Sequence, residues 1–393
     1  MTGQANRSLR VALGSAYGAL FFALGIYMPF FPLWLTGQGL DPQEIGVALA
    51  VPLVTRLVAT PLLGLLSDRL GRPKALLTAL AAATLILISL LAFARTPQAI
   101  FLVLGLSAMV WNPSFQLLDA YATRQARAKR VDYGQSRLWG STSFILANLA
   151  GGVVIAWTGE GIVVAMMLAG HAAFLATCVA LPELPRPMRD GTSHLALPRA
   201  RAALVVGILA AAMIQASHAT LYAFGSMNWR AQGLSLTVIG MLWATGVLAE
   251  IVLFRFGTRV LRRLDPAALL AIGGGAAVLR FCLLSLDPPL LWLVPLQLLH
   301  GATFGATYLG LVELVARAVP EHRAATMQSL AGWTVSLAMA GASALSGVLF
   351  AAYGSDTFLG SAGLGGAGLA AALISHRLQP QRAGTGGKAR APS

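Results

Sequence analysis

PELPRPMRDGTSHLALPRA (182–200) interrupts an otherwise apolar chain with prolines, arginines and small polar residues, the composition of a linker. Six apolar runs precede it (9–35, 43–66, 75–94, 98–123, 137–157 and 162–181) and six follow it (201–229, 237–256, 267–286, 290–316, 326–353 and 358–376). Each run is roughly 18–28 residues long, enough to cross ~30 Å of hydrocarbon as a helix. The expected fold is an all-α integral membrane protein of twelve transmembrane helices in two six-helix bundles. The first bundle takes residues 1–181, the cytoplasmic linker 182–200 and the second bundle 201–376. The remainder, 377–393 (RLQPQRAGTGGKARAPS), reads as a disordered cytoplasmic tail.

Composition points the same way. Of the 393 residues, 57% are hydrophobic and 11% charged, against ~25% charged in soluble domains. The net charge of +14 would suit nucleic acid, but the placement of the 28 Lys and Arg argues otherwise. With the N-terminus inside, 23 of them fall in cytoplasmic segments or at the inner ends of spans; Arg95 and Arg230 lie outside, and Arg56, Arg137 and Arg280 lie within spans. This asymmetry is the positive-inside pattern, so both termini are expected in the cytoplasm and no nucleic acid is expected as a partner. Cys178 and Cys282 both fall within spans, which supports neither a disulfide framework nor a metal site. The run 9–35 is too long for a signal-peptide core and reads as the first span. No phosphate-binding loop of the Walker type occurs, which argues against an ATP-driven pump. No catalytic cluster accompanies the buried charges, so neither an enzyme nor a cofactor is expected.

The loop after the second run reads GLLSDRLGRPK (64–74). Gly64, Asp68, Arg69, Gly71, Arg72 and Lys74 resemble the GxxxDRxGRxx signature of the major facilitator superfamily, with Pro73 displacing the last basic residue by one. Glycine permits a tight inter-helix turn, and Asp68 with the arginines can lock helix ends in one conformation. The matching loop of the second half, GTRVLRRLDP (257–266), is a degenerate copy. The resemblance implies a secondary transporter whose substrate site lies between two repeat halves near mid-membrane.

A charge inside a membrane costs at least ~2.5–3.5 kcal/mol, so Arg56, Asp119, Arg137, Glu250, Arg280 and Glu313 each need a reason. Here the resemblance narrows. DYGQSRLWGSTSF (132–144) is similar to the start of the fifth helix in lactose permeases and phenylpropionate permeases. In lactose permease an acid precedes the arginine of that segment by eighteen residues, as Asp119 precedes Arg137 here. Glu250, Arg280 and His300 match that family's acid on helix eight, arginine on nine and histidine on ten. LGIYMPFFPLWLTGQGL (24–40) and WATGVLAEIVLF (243–254) look more like the phenylpropionate permeases. One departure stands out: lactose permease carries a proton-binding glutamate three residues after the matched histidine, and this chain has Thr303. Proton coupling is therefore assigned to Glu250 and His300.

Periodicity locates a cavity independently. Asn112, Gln116, Asp119 and Thr123 share one helical face on the fourth run, as do Arg137, Ser141, Phe144 and Asn148 on the fifth. Gln215, His218 and Tyr222 do so on the seventh, and Gln297, His300 and Thr307 on the tenth. Polar stripes on apolar helices face protein or water, because lipid offers them no partners. The expected substrate-binding set is Asn112, Gln116, Asp119, Arg137, Phe144, His218, Tyr222, Arg280 and His300. Asp119 and Arg137 are expected close enough to pair in the absence of substrate. A lasting Glu250–Arg280 pair is not expected, because depth counting offsets them by roughly 9 Å at ~1.5 Å per residue. Arg56 reads as a structural charge with no partner evident, Glu313 as an i,i+4 partner of Arg317, and His171 as structural. Tyr27, Phe30, Phe31 and Trp111 fit either packing or stacking on a ring-bearing substrate.

Together these features predict a proton-coupled importer of a small organic solute, with an aromatic carboxylate of the phenylpropionate kind as the leading substrate. A sugar or nucleoside symporter is the alternative and drug efflux the second. The expected partners are the substrate, protons and the bilayer of a bacterial inner membrane, with the protein acting as a monomer.

Overall fold

The computed structural model describes residues 2–128, 131–183, 202–257 and 263–379. Fourteen α-helices are labelled in chain order: α1 (Thr2–Gly37), α2 (Pro42–Leu70), α3 (Pro73–Ser89), α4 (Pro97–Arg127), α5 (Tyr133–Thr158), α6 (Ile162–Ala180), α7 (Ala202–Ala216), α8 (Ala219–Ala231), α9 (Leu236–Val252), α10 (Pro266–Leu284), α11 (Leu290–Leu298), α12 (Thr307–Ala318), α13 (Glu321–Tyr353) and α14 (Thr357–Leu378). No strand occurs among the described residues. Among the described residues eleven stretches are long and apolar enough to cross a membrane. The last, Thr326–Leu378, has 53 residues and takes in both α13 and α14, which meet at a 3-10 turn begun by Gly354. Most of the expected linker, and the tail beyond residue 379, lie outside the described residues; α14 itself runs to Leu378, two residues into the expected tail.

Local chemistry sets the helix ends. Asp41 caps α2 in a reciprocal box with Glu44, and Pro42 supplies the first helical position. Gly71 closes α2 at φ 60°, a left-handed conformation that glycine adopts without strain, so the motif glycine makes the α2–α3 turn. Arg69 and Arg72 are exposed there, Gly64 has open space around it, and the Asp68 side chain lies outside the described residues. Thr96, Asp132, Ser235 and Asp265 each accept a backbone N–H at the start of α4, α5, α9 and α10.

Two spans expected to be single helices are interrupted. The run 201–229 breaks at Ser217 and His218. The Ser217 hydroxyl donates to the Ile214 carbonyl (2.6 Å), and His218 Nδ1 lies 3.2 and 3.1 Å from the carbonyls of Ile214 and Gln215. Side chains that occupy carbonyls in this way bend helices. The tenth run is α11 and α12 joined by a π-helical turn, Gly301–Ala306, and α9 likewise passes into a π-helical turn, Leu253–Gly257. Such turns are frequent at functional sites.

Helices α1 to α6 pack among themselves, as do α7 to α14. Two long seams join the sets, α2 against α13 and α5 against α9. The seams are closest at the end that carries the 38–41 and 232–235 connections. There a Cβ on Gly152 would sit 2.5 Å from the Leu236 carbonyl oxygen, and one on Gly46 would sit 2.8 Å from the Ser343 carbonyl oxygen. Arg230 also pairs with Glu160 at this end, and Thr36 donates to the Met227 sulfur at 3.6 Å. Near the middle of the α2–α13 seam, Arg56 donates to the Ser336 hydroxyl at 2.6 Å, which gives this half-buried charge a hydrogen-bond partner.

Candidate functional site

A cavity of about 280 Å³ lies between the two sets of helices. Phe21, Leu24 and Met28 of α1 line it, with Arg137, Ser141 and Phe144 of α5. The opposite wall is Leu221 and Tyr222 of α8, Trp243, Gly246, Val247 and Glu250 of α9, Arg280 of α10, and Gln297, His300 and Phe304 of the broken tenth span. A larger, shallow hollow of about 630 Å³ lies between the ends of α1 and α6, lined by Arg7 and small or aliphatic residues. It holds none of the clustered charges, so the central cavity is the candidate site.

On the second wall neutral polar side chains form a hydrogen-bonded chain around Arg280, which is fully buried. Its guanidinium donates to Gln297 Oε1 (2.6 Å), Thr303 Oγ1 (3.2 Å) and His300 Nδ1 (3.3 Å). A guanidinium has only donors, so His300 Nδ1 is the acceptor and the neutral ring carries its proton on Nε2. That Nε2 lies 3.8 Å from Glu250 Oε2. His218 completes the chain from behind. Its Nδ1 faces two carbonyl oxygens and is protonated, so Nε2 accepts from the Thr303 hydroxyl at 2.9 Å. Thr303 therefore serves Arg280 and His218 at once. His300 lies between Glu250 and Arg280.

On the first wall the expected Asp119–Arg137 pair does not form. Asp119 Oδ1 accepts instead from the hydroxyls of Tyr17 (2.6 Å) and Tyr133 (3.2 Å). The Arg137 guanidinium lies over the Phe21 ring, 4.1 Å from its centre, and near Tyr17 at 5.7 Å. Two phenols satisfy the carboxylate and an aromatic face supports the cation, so neither group requires the other. Gly140 makes room for this arrangement: a Cβ there would meet Phe21 at 2.9 Å and an Arg137 nitrogen at 3.2 Å. Among the described residues no carboxylate lies within 4.0 Å of Arg137 or Arg280.

Of the predicted substrate residues, Arg137, Phe144, Tyr222, Arg280 and His300 line the cavity together with Glu250. His218 stands behind the wall, Asp119 belongs to the tyrosine cluster, and Asn112 donates to the Pro52 carbonyl (3.3 Å). Gln116 is exposed away from the lining. Tyr27 stacks on Phe31 (5.0 Å) and meets Trp111 edge-on (5.4 Å) inside the first set of helices, and Phe30 is fully buried there, so these rings pack against one another or the core and do not line the cavity. His171 packs edge-on against Trp111 (4.9 Å), and Arg317 pairs with Glu313 (3.0 Å), both as expected. Sequence reasoning passed over Trp243, Phe21 and Phe304, although Trp243, Gly246, Val247 and Glu250 share one helical face. Trp243 is held by a hydrogen bond to Ser226 (2.9 Å) and a ring contact with Tyr222 (5.9 Å).

Comparison with known proteins supplies the family. Residues 11–359 match the MFS_1 like family. The probable 3-phenylpropionic acid transporter of Escherichia coli (strain K12) is 30% identical over 317 residues, which cover 78% of this chain and 81% of the relative. The maltose permease of Geobacillus stearothermophilus is 26% identical, with 80% of each chain covered. Lactose permease of Citrobacter freundii is 25% identical over 37% of this chain and 38% of its own length. The crystal structure of the nucleoside transporter NupG shares the fold with a TM-score of 0.78, at 17% identity over 94% of this chain and 98% of NupG. A bacterial homologue of the lysosomal transporter Spinster, solved in an inward-facing state, gives a TM-score of 0.73 at 13% identity, with 95% of this chain and 97% of that chain covered. With a cavity walled by two helix sets and a family match across most of its length, the chain belongs to the MFS_1 like family and is a membrane transporter of the major facilitator superfamily.

Proposed function

We propose that the protein imports a single-ring aromatic carboxylate together with a proton. The observation that carries this reading is the facing of Arg137 and Arg280 across one aromatic-walled cavity, each without a carboxylate of its own among the described residues. A substrate carboxylate supplies the missing negative charge through charge-assisted hydrogen bonds. Tyr222, Trp243, Phe21 and Phe304 line the same cavity with aromatic rings. At about 280 Å³ the cavity falls just below the ~300–1,000 Å³ of drug-sized pockets, which favours one ring over a disaccharide. The phenylpropionic acid transporter among the relatives agrees with this choice.

In this reading residues 1–181 and 201–376 are the two rocking halves of a twelve-pass protein, joined by the linker 182–200. The end rich in Lys and Arg, with both termini, faces the cytoplasm of a bacterial inner membrane, and a single chain contains the whole route. The end sealed by Gly46, Gly152 and the Glu160–Arg230 pair is then the outer one. Glu250 receives the proton, with His300 Nε2 beside it. The test is uptake of radiolabelled 3-phenylpropionate by proteoliposomes, with maltose and uridine as competitors. Uptake that aromatic acids alone inhibit supports the proposal; inhibition by maltose or uridine moves the substrate to the alternative class. Reporter fusions after Glu160 and after Asp287 should both lie outside.

A further inference from the structure

Gln297 stands in the cavity wall, 3% exposed, and its side-chain oxygen accepts from Arg280 at 2.6 Å. The guanidinium is a pure donor, so the amide has one acceptable orientation: oxygen toward Arg280, nitrogen away. Among the described residues that Nε2 has no hydrogen-bond partner, although it is buried. Arg280 Nε is in the same condition. Orphaned donors are rare inside proteins and each asks for an explanation. Here two of them belong to a hydrogen-bonded pair on the wall of one cavity, beside a guanidinium whose protein partners are all neutral. A single carboxylate carries both the negative charge and the acceptor oxygens that these deficits call for.

We propose that Gln297 is the specificity-determining residue for anionic over neutral solutes, its Nε2 forming with Arg280 Nε the seat of the substrate carboxylate. This rests on the reading of the cavity as a carboxylate site. Gln297 acts in two ways. Its amide donates to the anion directly, and its neutrality leaves the Arg280 charge available to the ligand. Glutamate has the same shape with the opposite effect. In Gln297→Glu a carboxylate replaces the acceptor oxygen beside Arg280, neutralises the guanidinium and removes the free donor. A neutral amide ligand, which can donate to the new carboxylate, retains a partner.

The experiment is calorimetric titration of the purified full-length chain with 3-phenylpropionate and with 3-phenylpropionamide, the readout being the ratio of the two affinities. The wild type should favour the acid. Gln297→Glu should lower the acid-to-amide ratio about a hundredfold, since charged pairs desolvated at an interface contribute on that scale. Gln297→Met keeps Arg280 charged but removes the donor. It should weaken acid binding about tenfold and shift the ratio less, because hydrogen bonds to charged groups exceed neutral ones. A general packing defect would weaken both ligands equally and leave the ratio unchanged. An unchanged ratio in Gln297→Glu, with the wild type still preferring acid, overturns this assignment alone. If Gln297→Glu does not fold, acid affinity unchanged in Gln297→Met overturns it. A wild-type protein indifferent to the carboxylate overturns the reading of the cavity as well.

Discussion

Substitution of Gly152 by alanine tests the alternating-access reading at a close backbone approach of the α5–α9 seam. A Cβ on Gly152 would lie 2.5 Å from the Leu236 carbonyl oxygen and 3.1 Å from Thr237 Cα, both backbone atoms of α9. Ordinary contact begins near 3.4 Å, so α5 and α9 must separate by about 0.9 Å at this end. Overpacking of this kind costs about 1–3 kcal/mol. The strain exists where the two helices meet and is relieved where they part, so it weights the outward-open state directly. At about 1.4 kcal/mol per tenfold, the closed-to-open ratio should fall roughly five- to a hundredfold. The assay is a spin-label distance between Trp157→Cys on α5 and Leu291→Cys on α11, both exposed positions, with Cys178 and Cys282 replaced by alanine. Gly152→Ala should add a longer-distance population. Gly341→Ala, where the added carbon meets nothing within 4 Å, should leave the distribution unchanged. An unaltered distribution in Gly152→Ala refutes the view that this seam closes the outer side.

Other outcomes follow from the same geometry. Arg137→Gln removes a guanidinium that has no carboxylate within 4.0 Å among the described residues, so the fold should persist. Its affinity for 3-phenylpropionate should fall about ten- to a hundredfold, the range of a hydrogen bond to a charged group, as read by titration. Glu160→Gln and Arg230→Gln each break a pair at the water-facing end, where such bridges contribute about 0.2–1 kcal/mol. Each should raise the outward-open population by up to about fivefold in the same spin-label assay, and the double variant should add little to either.

How much of this was legible beforehand depends on where each signal resides. The apolar runs and the basic asymmetry carry the helices, because hydrocarbon thickness and backbone hydrogen bonding leave few alternatives. The α5 stripe of Arg137, Ser141 and Phe144 was legible because helical spacing alone puts the three on one wall. The α4 stripe was legible as a periodicity but does not line the cavity: Asn112 serves the Pro52 carbonyl and Asp119 the phenols of Tyr17 and Tyr133. One-dimensional spacing cannot tell a cavity from a neighbouring helix that offers partners. The breaks at Ser217–His218 and Gly301–Ala306 were illegible for another reason, since they arise from side chains turning back on carbonyls or from local rewinding within sequence that suits a continuous helix. Gln297 was visible as a polar residue one turn from His300. Its importance depends on which way its amide points, and only the contact with Arg280 decides that.

In the proposed cycle a carboxylate travels inward with a proton held at Glu250, which lines the cavity with its oxygen 3.8 Å from His300 Nε2. The most direct measurement is the accumulation ratio of 3-phenylpropionate in proteoliposomes under an imposed inward proton gradient, for the wild type and for Glu250→Gln. The glutamine mimics a permanently protonated acid, so the variant should exchange substrate across the membrane at rates near wild type while its accumulation ratio stays at one. The wild type should concentrate the acid well above the outside level and lose that capacity when the gradient is collapsed. Accumulation by Glu250→Gln equal to that of the wild type, or wild-type uptake indifferent to the proton gradient, would contradict the account.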